Sequence, residues 1–171
     1  MPAVPRVEVV IETPQGSRNK LKFEGGSGRF RLSHVLPIGM AFPFDFGFVP
    51  NTRAEDGDPL DILVLSDAPL PMGCLVDTRL VGVLEVEQRE RSGAVVRNDR
   101  LIGVAEASTT HAATRDLSDI SQALLAEIEA FFDQYNRLDG KAFRVLHRRG
   151  PAVAADLVDG ARISEGPGAG S

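Results

Sequence analysis

The sequence predicts an α+β fold that is mainly β, with a small β-barrel and helices packed against it. Two observations favour this fold class. Alternation of apolar and polar residues, the period of half-buried strands, dominates roughly the first two thirds of the chain. Apolar residues at helical spacing begin only after Ser118. At 171 residues the chain fits one domain. We expect that domain over residues 1–163, followed by a flexible, Gly- and Ser-rich tail over residues 164–171.

The strands come first. We expect them at residues 7–11, 20–24, 30–32, 62–65, 75–86, 95–96 and 101–105. Glycines between the second and third runs indicate a hairpin. Residues 35–49 are rich in Pro, Gly and Phe and show little periodicity, so we expect irregular, well-packed chain there.

Two helices follow the strands. The first is predicted by apolar residues at helical spacing, with Ser118 or Asp119 as its N-cap. These apolar residues are Leu124, Leu125, Ile128, Phe131, Phe132 and Tyr135. The second helix is expected to start at Pro151, because proline is favoured at the first helical position, and to stop at Gly160.

Composition and charge narrow the functional classes. The net charge of −5 argues against a nucleic-acid partner, because nucleic-acid-binding domains usually carry a basic face. The single cysteine, Cys74, excludes an internal disulfide and fits a reducing compartment. Residues 1–6 lack the apolar segment of a signal peptide, and no run approaches the ~18 apolar residues of a membrane span. We therefore expect a cytoplasmic protein with no membrane partner.

The acidic turn Asp56-Gly57-Asp58-Pro59-Leu60-Asp61 lies directly before the predicted strand at residues 62–65. Its three carboxylates repel one another, so their close packing favours a neutralising cation. Gly57 and Pro59 restrict the turn, and hard oxygen ligands on a rigid loop suit Mg²⁺ or Mn²⁺. An ordinary surface turn is the competing interpretation, since Asp-Gly and Asp-Pro are common turn pairs. A calcium-binding EF-hand loop does not fit, because no Glu closes it.

This turn and several other segments resemble the soluble family I inorganic pyrophosphatases. The turn and the strand after it match the family signature in full over residues 56–64. The other matching segments are residues 9–14 (VVIETP), 16–20 (GSRNK), 43–48 (PFDFGF), 81–83 (VGV) and 131–135 (FFDQY). The resemblance implies a five-stranded β-barrel of OB type flanked by helices. It also implies a homo-oligomer, which is usually a hexamer in bacterial members.

The resemblance also implies Mg²⁺-dependent hydrolysis of inorganic pyrophosphate by a metal-activated water, with Mn²⁺ or another divalent metal as the alternative. Asp58 would accept the proton of the attacking water. The implied metal ligands are Glu12, Asp56, Asp61 and Asn98. The implied phosphate contacts are Lys20, His34, Arg100 and Tyr135. Metals make physical sense here, because the charge of pyrophosphate repels an attacking hydroxide until cations cancel it.

The chain departs from the family pattern at eight positions. Lys22 stands in place of a glutamate, His34 of an arginine, Phe42 and Phe46 of tyrosines, Gln88 and Asn98 of aspartates, and Arg100 and Asn136 of lysines. Because the hairpin around residues 88–98 is longer here, Glu87, Glu90 or Asp99 are alternative ligands. Loss of carboxylates and gain of an ammonium at Lys22 predict fewer bound metals and an altered affinity or substrate range.

Two other functions stay open at this stage. One is hydrolysis of another phosphoanhydride, such as a nucleotide, on the same scaffold. The other is a catalytically weakened homologue that binds metal or phosphate and acts through oligomeric assembly. A basic run, His147-Arg148-Arg149, is expected to be a solvated patch, with replacement of lost phosphate contacts as the alternative.

Overall fold

The computed structural model describes residues 3–164. The predicted flexible tail lies outside these residues, apart from Ser164. The described elements are β1 (Arg6–Thr13), β2 (Asn19–Glu24), β3 (Arg29–Val35), β4 (Asp45–Phe48), β5 (Asp61–Leu65), β6 (Leu75–Arg89), β7 (Val95–Arg97), β8 (Arg100–Ala105), α1 (Gln122–Leu138), β9 (Ala142–Arg149) and α2 (Pro151–Ala161). None of these helices is long and apolar enough to cross a membrane.

Five strands close into a ring in the order β1-β4-β5-β8-β6, and β6 pairs back to β1. Neighbours in the ring are antiparallel, except for the parallel pair β5–β8. The second half of the long strand β6 extends beyond the ring and pairs with β7 and β9. The mainly β fold on a ring of five strands, with helices beside it, confirms the predicted fold class. The single domain over residues 1–163 stays a prediction.

Both faces of β5 are buried, which explains its unbroken apolar sequence. Ile62 and Val64 lie in a core cluster that includes Val158 of α2. Leu63 and Leu65 lie in a second cluster, which includes the buried face of α1. The strand is thus fixed on two sides, and it carries Asp61, at its first position, to the edge of the ring.

The hairpin β2–β3 stands apart from the ring as a separate two-stranded sheet, as the glycine-rich turn predicted. Three features of the structure differ from what the sequence predicts. Residues 35–49 contain strand β4, whose four residues are all buried, so no alternation marks it in the sequence. Strand β9 was not predicted at all.

The third error concerns the start of α1. Its N-cap is Ser121, whose side-chain oxygen accepts a hydrogen bond from the Leu124 N–H. Ser118 and Asp119 instead lie in a short 3₁₀ turn capped by Asp116. The start and end predicted for α2 agree with the structure to within one residue.

Candidate active site

A cavity of about 700 Å³ opens beside the acidic turn. All of the catalytic, metal-binding and phosphate-binding residues expected from the sequence line it: Glu12, Lys20, His34, Asp56, Asp58, Asp61, Asn98, Arg100 and Tyr135. They come from β1, β2, β3, β5, β8, α1 and the loops between strands. The fold therefore brings together side chains that are up to 123 positions apart in the sequence, from Glu12 to Tyr135.

The acidic turn has a fixed backbone. Gly57 adopts a φ of +90°, a conformation that side chains disfavour. The Asp58 N–H donates to Asp56 Oδ1 at 3.0 Å. The turn is anchored by the buried Leu60, whose N–H donates to the Thr52 hydroxyl at 3.0 Å. These contacts hold the turn against the end of the ring.

The Asp56 carboxyl is electrostatically crowded. Partial burial at the cavity mouth raises the pKa of Asp56, and the carboxylates of Asp61 and Asp58 raise it further. The hydrogen bond from the Asp58 backbone and the charge of Arg100 oppose this shift. A cation placed beside Asp56 would relieve the crowding.

The other two carboxylates of the turn are paired with protein cations. Lys22 Nζ lies 3.2 Å from Asp58 Oδ2. Arg100 Nη1 lies 2.8 Å from Asp61 Oδ2 and also donates to the Asn98 carbonyl at 3.1 Å. Lys22 and Arg100 thus bring positive charge to the acidic turn from two different strands.

Arg100 is buried, with its guanidinium 5.3 Å from the centre of the Phe132 ring. Its Nε–H has no hydrogen-bond partner within residues 3–164. A buried donor without a partner is costly, and such groups are rare in protein interiors.

Glu12 and Lys20 form a buried pair on the opposite wall. Lys20 Nζ is 4.0 Å from Glu12 Oε1 and sits 4.2 Å from the centre of the Phe46 ring. Burial raises the pKa of Glu12 and lowers the pKa of Lys20, and the opposite charge of each partner partly offsets these shifts. The Phe23 N–H donates to Glu12 Oε2 at 2.8 Å and fixes its orientation.

Two amide side chains, Gln88 and Asn98, line the cavity where the family resemblance implies aspartates. The Asn98 amide donates to Gln88 Oε1 at 3.0 Å, and the Gln88 amide donates to Glu90 Oε1 at 2.9 Å. Among the alternative ligands, Glu90 lines the cavity. Asp99 instead accepts from the Val86 N–H and pairs with Arg97.

Tyr135 and His34 face the cavity from α1 and β3. Burial raises the pKa of Tyr135 to about 12, so its hydroxyl is a neutral donor at physiological pH. His34 Nε2 lies 3.4 Å from Asp139 Oδ1. The other ring nitrogen of His34, Nδ1, lies 2.8 Å from the Ser33 hydroxyl, so both nitrogens already have partners within the protein.

Lys141 also lines the cavity, although no sequence motif points to it. Its Nζ lies 3.2 Å from Glu90 and 3.6 Å from Asp139. Its backbone N–H donates to the Asn136 carbonyl, which sets it beside the end of α1. Only this turn after the helix brings Lys141 to the cavity, and no motif spacing marks it.

The basic run before α2 does not reach this cavity. Arg148 pairs with Glu129 at 2.7 Å, and Arg149 pairs with Glu85 at 2.6 Å. These two arginines therefore tie β9 to α1 and β6, and give no support to a role in replacing phosphate contacts.

The donor atoms suit a hard divalent cation, because carboxylate and amide oxygens line one cavity. In the part of the chain that the structure describes, no three His, Cys, Asp or Glu side chains already converge as a metal site. Asp58 is paired with Lys22, and Asp61 is paired with Arg100. These ion pairs are one reason why the carboxylates of the turn do not converge. The oxygen donors fit Mg²⁺ or Mn²⁺ in type.

Comparison with known proteins agrees with this arrangement. The family model described as inorganic pyrophosphatase matches residues 9–163. The inorganic pyrophosphatase of Geobacillus stearothermophilus is 40% identical over 153 residues, which cover 90% of each chain. That of Thermus thermophilus is 40% identical over 135 residues, 79% of this chain and 74% of the relative.

Solved structures give the same result. The crystal structure of the Thermus thermophilus inorganic pyrophosphatase superposes with a TM-score of 0.84 at 36% identity, covering 94% of this chain and 91% of that one. The Helicobacter pylori enzyme superposes with a TM-score of 0.82 at 34% identity, covering 93% and 95%. With its ring of five strands, its acidic turn and these relatives, the chain belongs to the inorganic pyrophosphatase family.

Proposed function

We propose that this protein hydrolyses inorganic pyrophosphate to two phosphates with a divalent metal, Mg²⁺ by preference and Mn²⁺ as the alternative. The observation that carries the proposal is one cavity lined both by the acidic turn and by cationic and hydroxyl side chains, in a chain of the inorganic pyrophosphatase family. An acidic cluster alone repels pyrophosphate, and a basic cluster alone binds it without activating water. The two together suit hydrolysis.

The metal ligands in this proposal are Glu12, Asp56, Asp61 and Asn98. When bound, the metal lowers the pKa of a coordinated water and neutralises charge on the substrate. Asp58 accepts the proton of the attacking water. This role is supported by the backbone of the turn, which fixes Asp58 next to Asp56. The water oxygen bonds to one phosphorus, and the bridging oxygen leaves with the other phosphate.

The phosphate contacts in this proposal are Lys20, His34, Arg100 and Tyr135. Arg100 is supported by its permanent positive charge in the cavity lining, and Tyr135 by a hydroxyl that stays protonated. Lys141, which lines the same cavity, is proposed as an additional contact. These donors bind and orient the diphosphate for in-line attack.

The test is phosphate release from pyrophosphate as a function of Mg²⁺ concentration. We expect activity that requires Mg²⁺, is removed by a chelator and returns when Mg²⁺ is restored. Parallel assays with nucleoside triphosphates separate this function from hydrolysis of another phosphoanhydride. Faster release from a nucleotide than from pyrophosphate would replace the proposed substrate, and no release from either would leave a binding protein.

The assembly is proposed from the family resemblance alone. We propose a cytoplasmic homo-oligomer, a hexamer by that resemblance. Sedimentation equilibrium measures it directly against the chain mass of 18.4 kDa. A monomer at micromolar concentration would overturn it.

A further inference from the structure

Lys22 lines the cavity and contacts the acidic turn directly. It extends from β2, and its Nζ lies 3.2 Å from Asp58 Oδ2. Both side chains are about half exposed, at 53% for Lys22 and 54% for Asp58. Lys20, two residues earlier on the same strand, is instead buried against Glu12.

This difference in burial separates a fixed cation from a movable one. Lys20 is confined by a carboxylate and an aromatic ring. Lys22 has a long flexible side chain, solvent on one side and one partner, so exchanging that partner requires no repacking of the core. The only carboxylate that pairs with Lys22 within the described residues is the proposed proton acceptor, Asp58.

We propose that Lys22 is a resident cation of the site that masks Asp58 until substrate binds. In the free protein the ammonium pairs with Asp58 and opposes binding of divalent ions to the acidic turn, in which Asp56 and Asp61 are the proposed ligands. When a diphosphate enters the cavity, the ammonium moves from the single charge of Asp58 to the greater negative charge of a phosphate oxygen. Asp58 is then free to accept a proton from water. The second half of this inference rests on the proposed function, and the competition with metal does not.

The competition predicts the direction in which the affinity for metal and the affinity for an anion change when Lys22 is replaced. The Lys22 ammonium lies at the turn that carries the proposed ligands Asp56 and Asp61, so its charge repels a divalent ion there. Removing the ammonium therefore favours metal, and it disfavours an anion for which Lys22 is the partner. A residue with a purely structural role would change neither affinity.

The test uses Lys22→Gln with Arg31→Gln as its matched control. Arg31 lies on the partner strand β3, is exposed, pairs with Glu24 and does not line the cavity. Both substitutions remove one positive charge from the same hairpin. Titration calorimetry measures Mn²⁺ binding without substrate, and then binding of methylenediphosphonate, a non-hydrolysable diphosphate, at a fixed Mn²⁺ concentration.

For Lys22→Gln we expect about fivefold tighter Mn²⁺ binding, the scale of an exposed ion pair, and about fivefold weaker methylenediphosphonate binding. Arg31→Gln should match the wild type in both titrations. Unchanged Mn²⁺ affinity in Lys22→Gln, or an equal change in Arg31→Gln, would overturn the competition with metal. Unchanged methylenediphosphonate affinity would overturn the transfer to phosphate. If the wild type bound Mn²⁺ but never cleaved pyrophosphate, the proposed function would be refuted. The Mn²⁺ titrations would still test the competition between Lys22 and metal.

Discussion

The two ends of strand β5 use carboxylates in opposite ways. After the strand, Asp67 accepts hydrogen bonds from the hydroxyls of Ser108 and Thr109 and from the backbone N–H groups of Thr109 and Thr110. These donors hold the pKa of Asp67 well below its usual range. Before the strand, crowding and partial burial raise the pKa of Asp56.

The two sets of carboxylates differ in how far the fold itself satisfies their charge. Asp67, and the buried Asp45 beside it, have their charge satisfied by hydrogen-bond donors of their own chain. The turn at residues 56–61 holds charge that the fold satisfies only in part. Groups left in that state are typical of sites that bind an external partner.

The largest expected effect is on catalysis at the start of β5. Asp58→Asn keeps the shape of the side chain but removes the proposed proton acceptor, so we expect phosphate release from pyrophosphate to fall by about 10²- to 10⁴-fold. Steady-state assays at saturating Mg²⁺ measure it. Asp67→Asn, at the other end of the strand, is the control and should keep wild-type turnover in the folded protein. Full turnover by Asp58→Asn would remove Asp58 as the base.

The next effect is on stability and concerns Asp45. Its carboxylate accepts from the N–H groups of Gln15 and Leu70 and from the Ser66 hydroxyl, and the residue is fully buried. Asp45→Ala leaves the two backbone donors without a partner, whereas the Ser66 hydroxyl keeps the Ala68 carbonyl, so we expect a loss of about 3 kcal/mol in the free energy of unfolding. Urea denaturation measures it.

Asp45→Asn is the matched variant for this prediction. It keeps one acceptor oxygen for the two backbone donors, so it should lose clearly less stability than Asp45→Ala. Equal losses in the two variants would show that the hydrogen bonds are not the cause.

How far the sequence predicted the fold depended on where each strand is exposed. β1 has one solvent-facing side along much of its length, so apolar and polar residues alternate in its sequence and predict the strand. β4 is buried throughout, and its alternation was lost. In β9 the only apolar residues that pack against the core are Phe143 and Val145, too few to establish a period. The N-cap of α1 was missed because several Ser and Asp residues before it have equivalent capping chemistry.

The candidate site was predictable in its residues but not in its pairings. The acidic turn is a local motif, so its carboxylates could be named from the sequence alone. The contact of Lys22 with Asp58 joins residues 36 positions apart, and that of Arg100 with Asp61 joins two strands of the ring. Contacts of this kind follow from strand register, which the sequence leaves undetermined.

The next prediction concerns Asp67, after the end of β5, and the pH dependence of the melting temperature. Because the pKa of Asp67 is lower in the folded protein than in the unfolded chain, its ionised form stabilises the fold above the unfolded pKa of about 3.9. Asp67→Asn should therefore lower the melting temperature at pH 7. The difference from the wild type should shrink as the pH falls below about 4, and thermal unfolding across this range measures it. A difference that is constant with pH would mean that the charge is irrelevant.

The smallest expected effect is a gain in stability, and it concerns Asp56 in the acidic turn before β5. The pKa of Asp56 is raised, so its ionised form opposes folding at neutral pH in the absence of metal. Asp56→Asn keeps the oxygen that accepts the Asp58 N–H and removes the charge. The metal-free variant should therefore be more stable than the wild type, by less than about 1 kcal/mol because the carboxyl is partly screened by solvent. Added Mg²⁺ should reverse the order, since the wild type gains more binding free energy than a variant that has lost a proposed ligand. Melting curves with chelator and with Mg²⁺ measure both signs. If Asp56→Asn lowered the melting temperature in chelator, as Asp67→Asn should, the two ends of β5 would not differ in the way the pKa shifts require.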